Sequence, residues 1–207
     1  DDAPRTDAAG DIDGQAFAGV LVDDGQAFAE TLEIISSLGS AKVVLLSTMG
    51  AVDSNVRMAR AHAAREGLLR QSSLPWCIVR PTTFMSNALR WDESIRLQGV
   101  VYNPQGDGKT APVAPSDIGE VVARALQDPS LAGKILELTG PQLLSTPEQV
   151  EILSNALARE IRVVDVPVAA AVQQIERSGV PADFATALGQ LFERIREGRG
   201  STRTDTV

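Results

Sequence analysis

His62 and Glu66 stand four residues apart in VRMARAHAAREGLLR (56 to 70), so a helix would bring both onto one face. An imidazole that titrates near neutrality, with a carboxylate one turn away, can relay a proton. The same pair on a solvated helix contributes only about 0.2–0.5 kcal/mol and does no chemistry. Two other groups lie where apolar runs end. Ser47, Thr48, Met49 and Gly50 follow AKVVLL (41 to 46), and Pro81, Thr82, Thr83, Phe84 and Met85 follow WCIVR (76 to 80). Proline fixes the direction in which the chain leaves, and threonine hydroxyls can reach a ligand amide. The plainer alternative is a strand-end turn. Met85, Phe84 and Trp91 could wall an apolar pocket, although apolar residues at helical spacing more often form core. Arg80 is expected to pair with a carboxylate such as Asp117 in preference to touching a substrate.

These residues need a scaffold, and hydrophobic periodicity supplies one. QAFAETLEIISSLG (26 to 39) places Phe28, Leu32, Ile35 and Leu38 at helical spacing and stops on Gly39. AKVVLLS (41 to 47) is apolar on both faces, as a strand covered on two sides must be. A helix over 54 to 71 and the strand 76 to 80 follow, giving strand, helix, strand with short links; the expected crossover is right-handed and the strands parallel. Further helices are expected at 84 to 97, 115 to 129, 145 to 160, 167 to 178 and 181 to 197, and strands at 133 to 140 and in IRVVDVP. Asp117 with Glu120, and Ser145 with Glu148, have capping-box spacing. The fold class is α/β: a parallel sheet flanked by helices over 1–140, with a small, mostly helical C-terminal lobe over 141–207. The tail GRGSTRTDTV is expected to be loose.

In an open α/β sheet ligands lie outside the carboxyl ends of the strands, which is where both residue groups fall. The near-match to a phosphate loop, GDGKTA (106 to 111), precedes a short strand and does not open a helix, so it reads as a turn. As a P-loop it would need a glycine at 103, where Asn103 stands.

Composition narrows the classes. Lys+Arg 19 against Asp+Glu 27 gives a net charge of −8, which argues against a nucleic-acid partner. A single cysteine, Cys77, excludes an internal disulfide and reads as a buried hydrophobe in a reducing, cytoplasmic setting. No apolar run of about 18 residues suggests a membrane span. The oligomeric state is open, a homodimer included.

Five blocks, VVLLSTMGA, the helix with His62 and Glu66, LPWCIVRPTTFMSN, APSDIGEVVARAL and ILELTGPQLLSTPEQVEILSNALAREI, come in an order and spacing that resemble the NmrA-like family of atypical short-chain dehydrogenase/reductases. The resemblance runs from about residue 30 onward. It implies an N-terminal strand, a turn of the type G-x-x-G-x-x-G and a second strand, none of which residues 1–25 supply, so those pieces are expected outside this sequence. It implies NADP (or NAD) as cofactor, with Ser47 to Gly50 passing the nicotinamide and Pro81 to Phe84 lying against it. Met85 and Trp91 would face a small-molecule substrate. Reductases of the superfamily use a Tyr and a Lys four residues on; here His62 and Glu66 hold that spacing, making His62 and Thr48 the catalytic candidates. The implied activity is NAD(P)H-dependent reduction of a ketone or quinone-like molecule; the alternative is an NAD(P)-binding regulator or redox sensor without turnover.

Overall fold

The computed structural model describes residues 25–37, 42–52, 57–200 and 204. The Gly39 stop and the first residues of the expected 54 to 71 helix lie outside them. In chain order the first elements are α1 (Gln26–Ser37), β1 (Val43–Leu46), α2 (Arg57–Gln71) and β2 (Trp76–Pro81). A 3-10 segment (Met85–Trp91), α3 (Asp92–Gln98), β3 (Val100–Asn103), β4 (Lys109–Thr110), α4 (Pro115–Gln127) and β5 (Lys134–Leu138) follow. The chain then forms β6 (Leu144–Ser145), α5 (Thr146–Leu157), β7 (Arg162–Asp165), α6 (Val168–Arg177) and α7 (Ala182–Arg196). The helix expected at 84 to 97 is half 3-10 and half α.

β1, β2 and β5 form a parallel sheet in that spatial order. Strand alternation sends Ile78 and Val79 to opposite faces, and each face has its own cover. On one, Leu32 of α1 and Leu69 of α2 pack with Leu74 and Ile78. On the other, Ile118 of α4 packs with Val79, Val113 and Leu138. Both crossovers step the same way across the sheet, yet α2 and α4 cover opposite faces. The two crossovers therefore differ in hand, and one departs from the right-handed rule.

Outside this sheet, β3 pairs in parallel with β7, and β4 pairs antiparallel with β6. Both later strands thus pair back onto the stretch between β2 and α4. Ile95, Val101, Val150 and Ile161 form the core of this second layer.

Capping differs between the two candidate boxes. Ser145 accepts from the Glu148 N–H, and the Glu148 carboxylate accepts from the Ser145 N–H at 2.6 Å, a complete box. The Lys109 ammonium adds a 2.6 Å bond to the same carboxylate, tying β4 to the start of α5. This lysine, with the Ser145 N–H, holds the Glu148 carboxyl down at about 2. Ser145→Ala is expected to cost about 1 kcal/mol, read as a lowered urea midpoint. Asp117, by contrast, caps nothing: α4 starts at Pro115 with Ala114 as its N-cap and no side-chain cap. Proline at the first helical position, with φ preset and no N–H to satisfy, moves the start ahead of Asp117. The tail is not wholly loose either. The Thr204 N–H donates to Thr139 Oγ1 at 3.1 Å and its hydroxyl donates to the Glu137 carbonyl at 3.1 Å.

Candidate active site

The carboxyl edge of the parallel sheet is built in two rows. The Ser47 N–H donates to the Val79 carbonyl at 2.8 Å, extending the β1–β2 ladder by one residue. Leu46 is level with Val79, and Arg80 is level with Glu137, so Ser47, Arg80 and Glu137 form one transverse row. Arg80 shares the Ile78 face, the one covered by α2, and meets Glu66 there. Its Nε donates to Glu66 Oε1 at 2.8 Å and its Nη2 to Oε2 at 2.6 Å, a two-pronged fork. Ser47 Oγ donates to Glu66 Oε1 at 2.6 Å, and Arg70 Nη2 reaches Oε2 at 3.3 Å. Glu137 stands 3.6 Å from Arg80 Nη1. Glu66 is fully buried, and Ser47 and Arg80 are nearly so, at 4% and 8% exposure.

Burial alone would raise the Glu66 carboxyl. The hydrogen bonds from Arg80 and Ser47, with the charges of Arg80 and Arg70, outweigh it and hold the group below its ordinary range. Glu66 is therefore a carboxylate fully engaged with cations, and the expected Arg80–Asp117 pair is replaced by Arg80–Glu66. Asp117 belongs to α4, on the opposite face, and is exposed. Asp117 instead accepts from Ser116 Oγ at 3.1 Å.

His62, one turn before Glu66 on α2, is half-buried, and its side chain makes no hydrogen bond among the described residues. Burial lowers its pKa, the Arg65 charge lowers it further, and Glu66 opposes only in part. The imidazole is neutral at neutral pH.

The row above carries the strand-end hydroxyls. Thr48 starts a 3-10 turn (Met49–Val52); its hydroxyl oxygen accepts from the Gly50 N–H at 3.3 Å and its carbonyl from the Ala51 N–H at 3.0 Å. Its own proton has no acceptor among the described residues. An added Cβ at Gly50 would meet Thr48 Oγ1 at 3.7 Å, an ordinary contact, so packing within the chain does not require glycine there.

Beyond β2, the Thr82 N–H donates to the Leu138 carbonyl at 2.9 Å and the Thr82 hydroxyl to the Ala111 carbonyl. The Val113 N–H donates to the Thr83 carbonyl, and the Met85 N–H to the Val113 carbonyl, each at 2.9 Å. Residues 111–113 thus form a strap along the ends of β2 and β5. Gly140 donates to the Ala111 carbonyl at 3.0 Å, and a Cβ on it would stand 1.8 Å from the Pro112 carbonyl oxygen. Thr82 has spent its proton on the strap, whereas Thr83 has no side-chain hydrogen bond among the described residues. Pro81 is buried, and Phe84 packs against the Val79, Val113 and Ile118 cluster. The two substrate-facing candidates separate: Met85 is 45% exposed, while Trp91 packs onto Ile95, Val101, Val150 and Ile161 in the second layer.

Sequence reading missed the Glu66 anchor, the strap and Gly140. Only Glu66 left a signal: with Ala59 and Leu69 it falls on the inward face of α2, where a charge needs a partner. Cys77 is buried, and burial raises its thiol. No group of described His, Cys, Asp and Glu residues could hold a metal, and no described helix is long and apolar enough to cross a membrane.

A parallel sheet covered on both faces, with hydroxyl groups at its carboxyl edge, defines a Rossmann-like α/β protein. The chain belongs to the NmrA-like family, whose pattern matches residues 34–201. It is 32% identical over 193 residues to the NAD(P)H azoreductase of Xenophilus azovorans, covering 91% of this chain and 68% of that protein. It is 33% identical over 174 residues to the (4-alkanoyl-5-oxo-2,5-dihydrofuran-3-yl)methyl phosphate reductase of Streptomyces griseus, covering 83% of this chain and 61% of that protein. The fold is shared with the NADPH-dependent quinone oxidoreductase of Escherichia coli, solved with NADPH: TM-score 0.75 at 20% identity, over 86% of this chain and 63% of the other. The chain thus spans roughly two thirds of the length of these relatives.

Proposed function

We propose that this chain is an NAD(P)H-dependent reductase of ketone or quinone-like small molecules, with the crevice at the sheet's carboxyl edge facing nicotinamide and substrate. The observation that carries the reading is the pair of hydroxyls, Thr48 and Thr83, that close neighbouring parallel strands with protons that no described residue accepts. The relative named as an NAD(P)H azoreductase supports it.

NAD(P)H, when bound, supplies the hydride. Ser47 to Gly50 and Pro81 to Phe84 would wall the nicotinamide, and Gly50, which internal packing does not require, leaves room for a ring to approach the backbone. Thr48 donates to the substrate carbonyl oxygen as negative charge develops on it. The proton comes from water, a substrate hydroxyl or His62. Met85 supplies an apolar wall beside the crevice, and Trp91 supports the layer behind it. The phosphate end of the cofactor needs a glycine-rich turn, which the described residues do not contain. We read the charge of −8 and the buried Cys77 as a cytoplasmic protein without a nucleic-acid partner.

The test is NADPH consumption with a panel of quinones, ketones and azo compounds. Consumption with at least one supports the reductase; tight NADPH binding with none consumed would favour a sensor, which the missing Tyr/Lys pair would permit. Thr48→Val should lower kcat by about 10²-fold, the effect of losing one oxyanion donor. His62→Ala should change kcat by less than about tenfold, because a neutral imidazole without a partner is replaceable by water. A larger loss in His62→Ala would assign the proton to it.

A further inference from the structure

The buried Glu66–Arg80 ion pair takes part in no step above, and stability does not account for it. Charge pairs in a protein interior can usually be replaced by apolar groups of similar volume at no loss. Its place is more telling. It lies one residue below the crevice and joins four elements at once: the end of β1 through Ser47, β2 through Arg80, α2 through Glu66 and β5 through Glu137. The Ser47 hydroxyl is spent on Glu66, beneath the crevice, and the residue directly beyond this anchor is Thr48. The Thr48 oxygen is already held by the Gly50 N–H.

We propose that Glu66 and Arg80 are positioning residues that act through Ser47: the ion pair grips the Ser47 hydroxyl and so presets the Thr48 hydroxyl to donate to a substrate carbonyl oxygen. This rests on the reductase reading for its consequence but not for its geometry. The pair assigns Glu66 a task other than relaying protons to His62, since both of its oxygens are taken by Arg80.

The decisive variant is Ser47→Ala in the full chain, which leaves the Glu66–Arg80 fork intact. Hydrogen exchange at the Gly50 and Ala51 amides is expected to quicken about tenfold, as for loss of one charge-assisted hydrogen bond, with Ile78 and Val79 unchanged. The kcat of NADPH-dependent reduction is expected to fall roughly ten- to hundredfold, as a misplaced donor does, with little change in substrate KM. Ser47→Thr, which keeps the hydroxyl, should restore both readouts. A charge-free variant, Ser47→Ala with Glu66→Met and Arg80→Met, should keep the fold and show the same losses. Unchanged exchange at Gly50 and Ala51, or a kcat within about twofold of an active parent, would overturn the positioning role. Quickened exchange in a parent that binds but never oxidises NADPH would leave the anchor standing and remove the reductase.

Discussion

Glu66→Ala is expected to lower the stability of the folded chain by about 3–5 kcal/mol, the loss typical of stripping one partner from a buried ion pair. The substitution leaves the Arg80 side chain, 10% exposed, with only the half-exposed Glu137 at 3.6 Å. It also removes the acceptor of the buried Ser47 hydroxyl. Domains of this kind are stable by only about 5–15 kcal/mol in total, so the variant should unfold at a clearly lower urea concentration. A loss below about 1 kcal/mol would show that water reaches Arg80 and takes the place of the carboxylate. The same group sets an acid limit. Its folded-state pKa lies below the ordinary 4.5, so its contribution is fully present above that value and drains away as pH falls through the lower folded one. His62 pushes the same way, because its folded pKa is below 6.5 and protonation favours the unfolded chain. Glu66→Gln should therefore flatten the acid side of the stability profile in a pH series followed by circular dichroism.

Gly140→Ala is expected to cost at least about 3 kcal/mol, combining overpacking with broken hydrogen bonds. A methyl there would lie 1.8 Å from the Pro112 oxygen and 2.7 Å from its carbonyl carbon, both backbone atoms that no side-chain rotation can move aside. Relief requires the strap to shift, which opens the Gly140 to Ala111 bond and strains that from the Thr82 hydroxyl. Because the strap also holds Thr83 and Met85, the damage reaches the crevice wall. A drop in thermal midpoint with a raised KM for the small-molecule substrate would bear this out. An unchanged midpoint would mean that the strap yields freely.

The parallel sheet could be read from VVLL and WCIVR because an apolar run without alternation has few other places in a water-soluble fold. The Ser145–Glu148 box was equally legible, since it depends only on local spacing. The partner of Arg80 was not. A right-handed second crossover would have set α4 beside α2, bringing Asp117 to the face of Arg80. Instead α4 packs against Val79 and Leu138 across the sheet. Handedness is a property of the path between β2 and α4, and residue types along that path do not encode it. Gly140 escaped for a related reason: its neighbour, Pro112, is remote in sequence. The strand-end hydroxyls were visible as candidates, but which of them spend their proton within the chain depended on the Ala111 carbonyl and the Glu66 carboxylate, both set by tertiary packing.

The strap also decides how this scaffold can be varied. The chain leaves the sheet after Pro81 and returns at Ala111 to Val113, where bonds from Thr82 and Val113 cinch the two ends together. Everything between is a cassette closed at its neck. It binds through β3 and β4 to β7 and β6 of a second cassette, which follows β5. A graft between relatives that exchanged the two cassettes together, cutting at 84 and 113 and again after 140, would replace the second layer and leave the sheet and its buried ion pair untouched. Exchanging either cassette alone would break the matched strand registers that join them.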